Sequence, residues 1–539
     1  NIDEANGLGS VSVETKGGNV NVDYTGGSVS FVGGTTVLNA SGGAGLTFNN
    51  TGGGLQLGSL NAGTNDLSLT AIGAITDDVN DATVDITAGA VTLNAGGAIG
   101  AAGNELDTTV TSLDATAGVG GVYIRESDGL TLSAEAAGAG NDVDVATTAG
   151  DISVESITAP DQITLNAAGS ILAADPVQLS LSGTSAGLTS GGAIGTVAVP
   201  LNTMLTTLEA TANTDLGINN RSALNLTTGT ATTGDMKVSA SGDLTLGTLT
   251  ANGTVTMSST GKILDGSGGA STNITATTAS LSAKQIGSSP SPLHTVIGTL
   301  DASTTAGGIF IDDLGTGTFN LNTATALGPG SDVAISGDGD IALGAITAEG
   351  DDVTLTAAGQ ITDANGATTN ITSETLTITA GNGITDLEAA VDEITANGGA
   401  GAVTITNSSP LTLSESTLES GNGIYTAVAI TIQDIADNVA TLIPGTSLVL
   451  ETSTGDIVFL DQNDTISVSG GGTISIDAGT TADSGAVALL GNLEADNADI
   501  SVAADRHITV GLLDAGTGDV SVISRNGVIV DGNGAGVNI

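Results

Sequence analysis

The sequence predicts an all-β chain wound as a right-handed parallel β-helix, a β-solenoid of about 22 coils with roughly 24 residues in each. Three observations predict it. Short runs of alternating apolar and polar residues end at Gly corners throughout the chain. Those runs return with one long period, and inside it lies a shorter period the length of a single coil.

The clearest run is VTLTAAGQI, from Val353 to Ile361. Earlier copies are LSLTAIGAI ending at Ile75, ITLNAAGSI ending at Ile171 and VTMSSTGKI ending at Ile263, with a looser fifth, VSVISRNGVI, ending at Ile529. Each reads as a strand, a Gly corner and the start of a second strand.

The landmark Ile at 75, 171, 263 and 361 steps by 96, 92 and 98 residues. A second Ile, closing GGAI, GGAI, AKQI and GNGI at 99, 194, 286 and 384, steps by 95, 92 and 98. A third, at Ile124, Ile218, Ile311 and Ile405, steps by 94, 93 and 94. Three landmarks thus keep one period of about 95 residues. The first and second landmarks lie 24, 23, 23 and 23 residues apart, so one repeat is expected to hold four coils. A left-handed helix needs hexapeptides and an 18-residue coil, which the sequence lacks.

Taken in order, residues 1–56 read as leading coils with Gly-Gly turns. Repeats follow at 57–150, 151–241, 242–338 and 339–455, then further coils over 456–539 that enter a new repeat. The whole is expected to be one continuous solenoid. Within repeat four, 423–443 is the most continuously apolar stretch, and a short helix or insertion is expected there. Residues 511–532 align with 58–78 with one extra residue, and neither end shows a polar cap. The chain is therefore expected to be a segment of a longer solenoid, or to have its ends closed by neighbouring subunits.

The physics agrees with stacking. One coil cannot bury its apolar face, but a second coil about 4.8 Å above gives every strand a parallel partner. About 22 such coils would extend on the order of 100 Å.

Composition fits a narrow interior. The chain has 81 Gly, 8 Pro and only 1% aromatic residues, so Ala, Val, Ile and Leu must form the core. Its net charge is −50, from 58 acidic against 8 basic residues. That balance argues against nucleic acid, which needs Lys/Arg clusters, and against anionic lipid. It favours solubility and cation binding. No Cys is present, which fits a secreted bacterial protein, and no apolar run is long enough for a transmembrane helix. The sequence begins at Asn1 without Met, so a processed product or a window of something longer is expected.

The succession GDISVESITAPDQITLNAAGSI, GGAIGTVAVPLNTMLTTLEAT and LGINN resembles the repeat arrays of filamentous-haemagglutinin-like bacterial surface proteins. The likeness is good over roughly residues 57–405 and looser elsewhere. It implies a secreted rod of the cell surface or extracellular matrix, and hence an adhesin or structural role. The partners it implies are neighbouring solenoid segments or identical subunits, and host or bacterial surface glycans or proteins. The secretion-signal domain of that family does not occur in this sequence.

Two rivals stand beside that reading: a self-assembling filament, sheath or surface-layer subunit, and a glycan-processing β-helix enzyme. An enzyme needs carboxylates and basic residues converging on one face. His294 and His507 lie far apart and read as surface residues. The pairs Asp77/Asp78, Asp312/Asp313 and Asp351/Asp352 read first as turn residues, and Arg125 and Arg221 as surface partners of acids. No catalytic residue and no cofactor is assigned. The chemical candidate that remains is weak Ca²⁺ binding, for which the densest clusters are Asp77, Asp78 and Asp81, then Asp338 with Asp340, then Asp461 with Asp464. The nonapeptide of calcium-binding β-rolls is absent. Five Gly-Asp pairs, with Asp at 151, 243, 340, 456 and 519, each precede a strand and read as corners whose Asp bonds the backbone. Ligand-binding loops are expected where the repeat is broken, at 285–296 and 415–445.

Overall fold

Strand follows strand, each hydrogen-bonded in parallel to another about 21 residues further on, in a computed structural model of the chain. It describes residues 45–539 except 270, 421, 434, 436–438, 462, 482, 483, 489, 490 and 535, plus the backbone of six short strands before residue 45. The chain forms two compact units, Asn1–Thr277 and Thr278–Ile539. Both are built as parallel β-solenoid, with about 22 turns between them.

In the first unit one interior column runs Ile75, Ile99, Val122, Val143, Ile163, Ala186, Leu208, each residue paired in register with the next. A second runs Leu130, Ile152, Ile171, Ile194, Leu216, Met236, Val255. The landmarks Ile75 and Ile171 therefore sit in different columns. Ile171 falls between the fourth coil above Ile75, at Ile163, and the fifth, at Ala186. A 95-residue repeat holds four coils and part of another, and it carries the same phrase to a different strand position in the coil. The expected coil of roughly 24 residues, four to a repeat, gives way to parallel strands about 21 residues apart.

The reason is that coils differ in size. Ile194 and Leu201–Met204 are separate passes, yet the strand above them, Leu216–Asn220, takes both: Leu216 pairs with Ile194, and Ile218 pairs with Leu201. Two passes merge into one and the coil shortens. In the second unit the step from Leu376 to Ile394 is only 18 residues, against 23 from Val353 to Leu376. The sequence landmarks happen to lie at the longer coils, which is why they suggest 24.

The second unit has its own columns. One runs Ile309, Val333, Val353, Leu376, Ile394, Leu413, and another runs Ile361, Ile384, Val403, Gly423, Leu448, Ile474, Ile500, Val520. The strand Val353–Ala357 alternates buried and exposed residues, as a one-faced strand must. Inside, Leu343, Leu355 and Ile378 have no solvent exposure. Phe319, Tyr425 and Phe459 are the largest fully buried side chains.

The expected helix lies earlier than 423–443: it is Glu415–Ser420. The 423–443 stretch contains the strands Gly423–Ala427, Ile430–Ile432 and Val439–Thr441, because its β-branched residues continue the ladders. The break at 285–296 is a tight excursion closed by an antiparallel bridge between Ser288 and Ser291.

Candidate functional site

The Gly-Asp corners do a definite job. Asp151 Oδ1 accepts the Ser170 N–H at 2.6 Å, Asp243 Oδ1 that of Lys262 at 2.9 Å, Asp340 Oδ1 that of Gln360 at 2.9 Å and Asp456 Oδ1 that of Ala486 at 2.7 Å. Each corner Asp brackets its coil to the following one. Asp340 is thus committed to Gln360, while Asp338 is exposed in the preceding turn, its own N–H donating to the Asp313 carbonyl.

Asp461 Oδ1 accepts the Asn463 N–H at 2.7 Å, an Asx turn. Asp464 is fully buried and its carboxylate accepts the Ile435 N–H at 3.3 and 3.4 Å. Both acids are occupied with backbone geometry.

The Asp77 cluster is the exception, and its membership differs from the sequence expectation. Asp77, at the end of Ile75–Asp77, lies with Asp78 and Asp85, their ligand atoms within 4.8 Å of one another. Among the described residues this is the group of three acids placed closely enough to hold one metal ion. Asp81 is outside it: its Oδ1 accepts the Thr83 N–H at 2.6 Å, which holds its carboxyl below the usual range. Thr83 captures Asp81 because a carboxylate two residues before an N–H closes a local turn.

Asp85 could have been found from the repeat. It precedes Ile86 as Asn273 precedes Ile274 and Asn370 precedes Ile371. In those copies Asn273 Nδ2 donates to Asp265 Oδ1 at 2.8 Å and Asn370 Nδ2 to Asp363 Oδ1 at 2.9 Å. Asp85 faces Asp77 instead, so two acids stand where those two copies have an amide and an acid. Asp85 Oδ2 accepts the Asp107 N–H at 2.8 Å, as Asn370 Oδ1 accepts that of Glu388 at 2.9 Å. Burial, with the charges of Asp77 and Asp107, pushes the Asp85 carboxyl up to about 8, and burial raises Asp77 as well. The trio offers three carboxylates where Ca²⁺ takes six to eight oxygens.

Arg125 completes the neighbourhood. Its guanidinium is ion-paired with Asp107, and Nη2 donates to the Asp81 carbonyl at 2.7 Å. These side chains border a cavity of about 280 Å³ lined also by Thr108 and Glu126. In the next repeat Arg221 Nη2 reaches the Val177 carbonyl at 2.9 Å. Each arginine pins a loop 44 residues upstream.

The histidines lie in different settings. His294 Nε2 is 3.7 Å from Asp312 Oδ2, whereas His507 Nδ1 accepts the Val528 N–H at 3.2 Å. Asp313 is buried, and Asp351 Oδ1 accepts the Gly330 N–H at 2.7 Å.

The ladders and their repeated corners define the class: this is a β-solenoid repeat protein. No family model, no curated protein and no solved structure matches the chain. No helix among the described residues is long and apolar enough to cross a membrane.

Proposed function

We propose that the chain is a structural rod of the bacterial exterior, part of a surface adhesin or matrix protein. The observation that carries this reading is the parallel pairing of coil upon coil among the described residues of each unit, with Asp brackets at the corners. Such an array spends its residues on axial stiffness and presents Thr, Ser, Asn and Asp outward. The sequence likeness to filamentous-haemagglutinin-like repeats supports the extracellular setting, as do the absence of Cys and the charge of −50. The chain works without catalysis, by length and by contact with neighbouring segments or with surface glycans and proteins. We also propose weak Ca²⁺ binding at Asp77, Asp78 and Asp85.

The runner-up reading is a self-assembling filament, sheath or surface-layer subunit, which the same stacked coils would serve. Low-dose electron microscopy of the native material separates the two. Isolated rods projecting from cells favour the stalk, and a continuous helical lattice sinks it in favour of the filament.

A further inference from the structure

Glu126, Asn220, Asp313 and Asn407 close the same strand in four successive repeats, at steps of 94, 93 and 94 residues. All four are buried, with exposures of 0, 0, 1 and 3%. In the amide copies the side chain satisfies both backbone groups of one residue on the coil below. Asn220 Oδ1 accepts the Leu205 N–H at 2.9 Å and Nδ2 donates to the Leu205 carbonyl at 3.1 Å. Asn407 treats Val391 in the same way, at 3.0 and 2.9 Å. A strand residue presents its N–H and C=O to the same edge, so the amide replaces a missing strand partner.

In the acid copies the N–H half of this pairing is kept. Val110 N–H donates to Glu126 Oε1 and Oε2, each at 3.2 Å, and Ile297 N–H donates to Asp313 Oδ1 at 3.1 Å. The C=O half asks for a donor, which a carboxylate lacks and a carboxylic acid possesses.

We propose that Glu126 keeps a proton in the folded chain, acting as the equivalent of Asn220, and that its ionisation loosens the join between these two coils. It is a proton-sensitive joint built into one repeat and absent from the next. The charged groups near Glu126 are Asp128 in the following turn, Arg125 on its own strand and Asp107, paired with Arg125, on the adjoining strand. The strand above contributes Thr147. Arg125 is taken up by Asp107 and the Asp81 carbonyl, and among the described residues no ion pair reaches Glu126. Thr108 Oγ1 and the Ser127 N–H donate to the carboxyl at 2.7 and 2.9 Å, which keeps the ionised form within reach. In agreement, burial pushes the group up to about 7.

The test is carboxyl-carbon NMR of the full chain labelled in Glu side chains, with Glu126→Gln to assign the signal. The expected result is one carboxyl titrating well above 4.5, the ordinary glutamate value, and missing from the variant. The protection of the Val110 amide, the intrinsic exchange rate at each pH relative to the observed one, should then fall through the same pH range in the parent chain and stay level in E126Q. Asn220→Asp should transfer that pH response to Leu205. A Glu126 carboxyl that titrates at or below 4.5 would overturn the proposal, as would an E126Q chain whose Val110 protection keeps the parent's pH response.

Discussion

Asp340 Oδ1 accepts the backbone N–H of Gln360 at 2.9 Å, tying a corner of one coil to the coil that follows. The relation recurs at Asp151, Asp243 and Asp456, whereas at the fifth corner the Asp519 N–H donates to Asp499 Oδ1. It converts a turn residue into an axial fastener.

Removing one fastener should weaken its joint and little else. Asp340→Ala leaves the Gln360 N–H without its acceptor and is expected to cost about 1 kcal/mol. Asp340→Asn keeps an oxygen in place and should cost less. Denaturant midpoints of the three chains check the order. Equal midpoints for D340A and the parent would remove the fastener from the account.

The interior columns should be intolerant of deletion. Leu355 has no exposure and stacks between Ile335 and Ile378. Leu355→Ala is expected to cost about 2–5 kcal/mol, because neighbours in a hydrogen-bonded stack cannot collapse into the gap. Thermal or denaturant unfolding reads this directly.

Close approach between coils should be as sensitive to addition. A Cβ on Gly247 would lie 2.1 Å from the Thr227 carbonyl oxygen and 2.8 Å from its carbon, both backbone atoms of the coil below. Gly247→Ala is expected to destabilise by about 1–3 kcal/mol. An alanine chain as stable as the parent would mean that the coils are less tightly stacked than described.

Asp85 gives a pH prediction with a definite sign. Its carboxyl is raised from 3.8 to about 8 in the folded chain. Between those values the folded state holds a proton that the unfolded state has released, so this group's contribution falls as pH rises through the window. Asp85→Asn supplies the donor that Asn273 gives Asp265, without a charge to bury. It should match the parent at acid pH and exceed it in stability at alkaline pH. Parallel unfolding curves with no alkaline gain would contradict the assignment. If Ca²⁺ uses the trio, D85N should also lower its affinity, by calorimetry.

Much of the architecture was legible in the residues. Alternation in VTLTAAGQI implies a one-faced strand, and its return implies stacking. The 24-residue spacing overstates the coil because Ile75 and Ile99 happen to bracket a long one, while Ile194 and Leu201 meet the same strand above across an excursion that opens at Gly195. The acid trio was half legible. Asp77 and Asp78 are adjacent in sequence, but Asp85 reaches them through a loop whose path depends on tertiary packing. Comparing Asp85 with Asn273 and Asn370 across repeats would have found it. The role of Glu126 was hidden for a related reason, since its counterparts differ in chemical type and only the shared bond to the coil below makes them equivalent.

The central claim is that coil stacks on coil in parallel register within each unit, and methyl NOEs along one interior column test it most directly. Leu355 is predicted to show contacts to both Ile335 on one side and Ile378 on the other. A chain in which Leu355 contacts neither would contradict it.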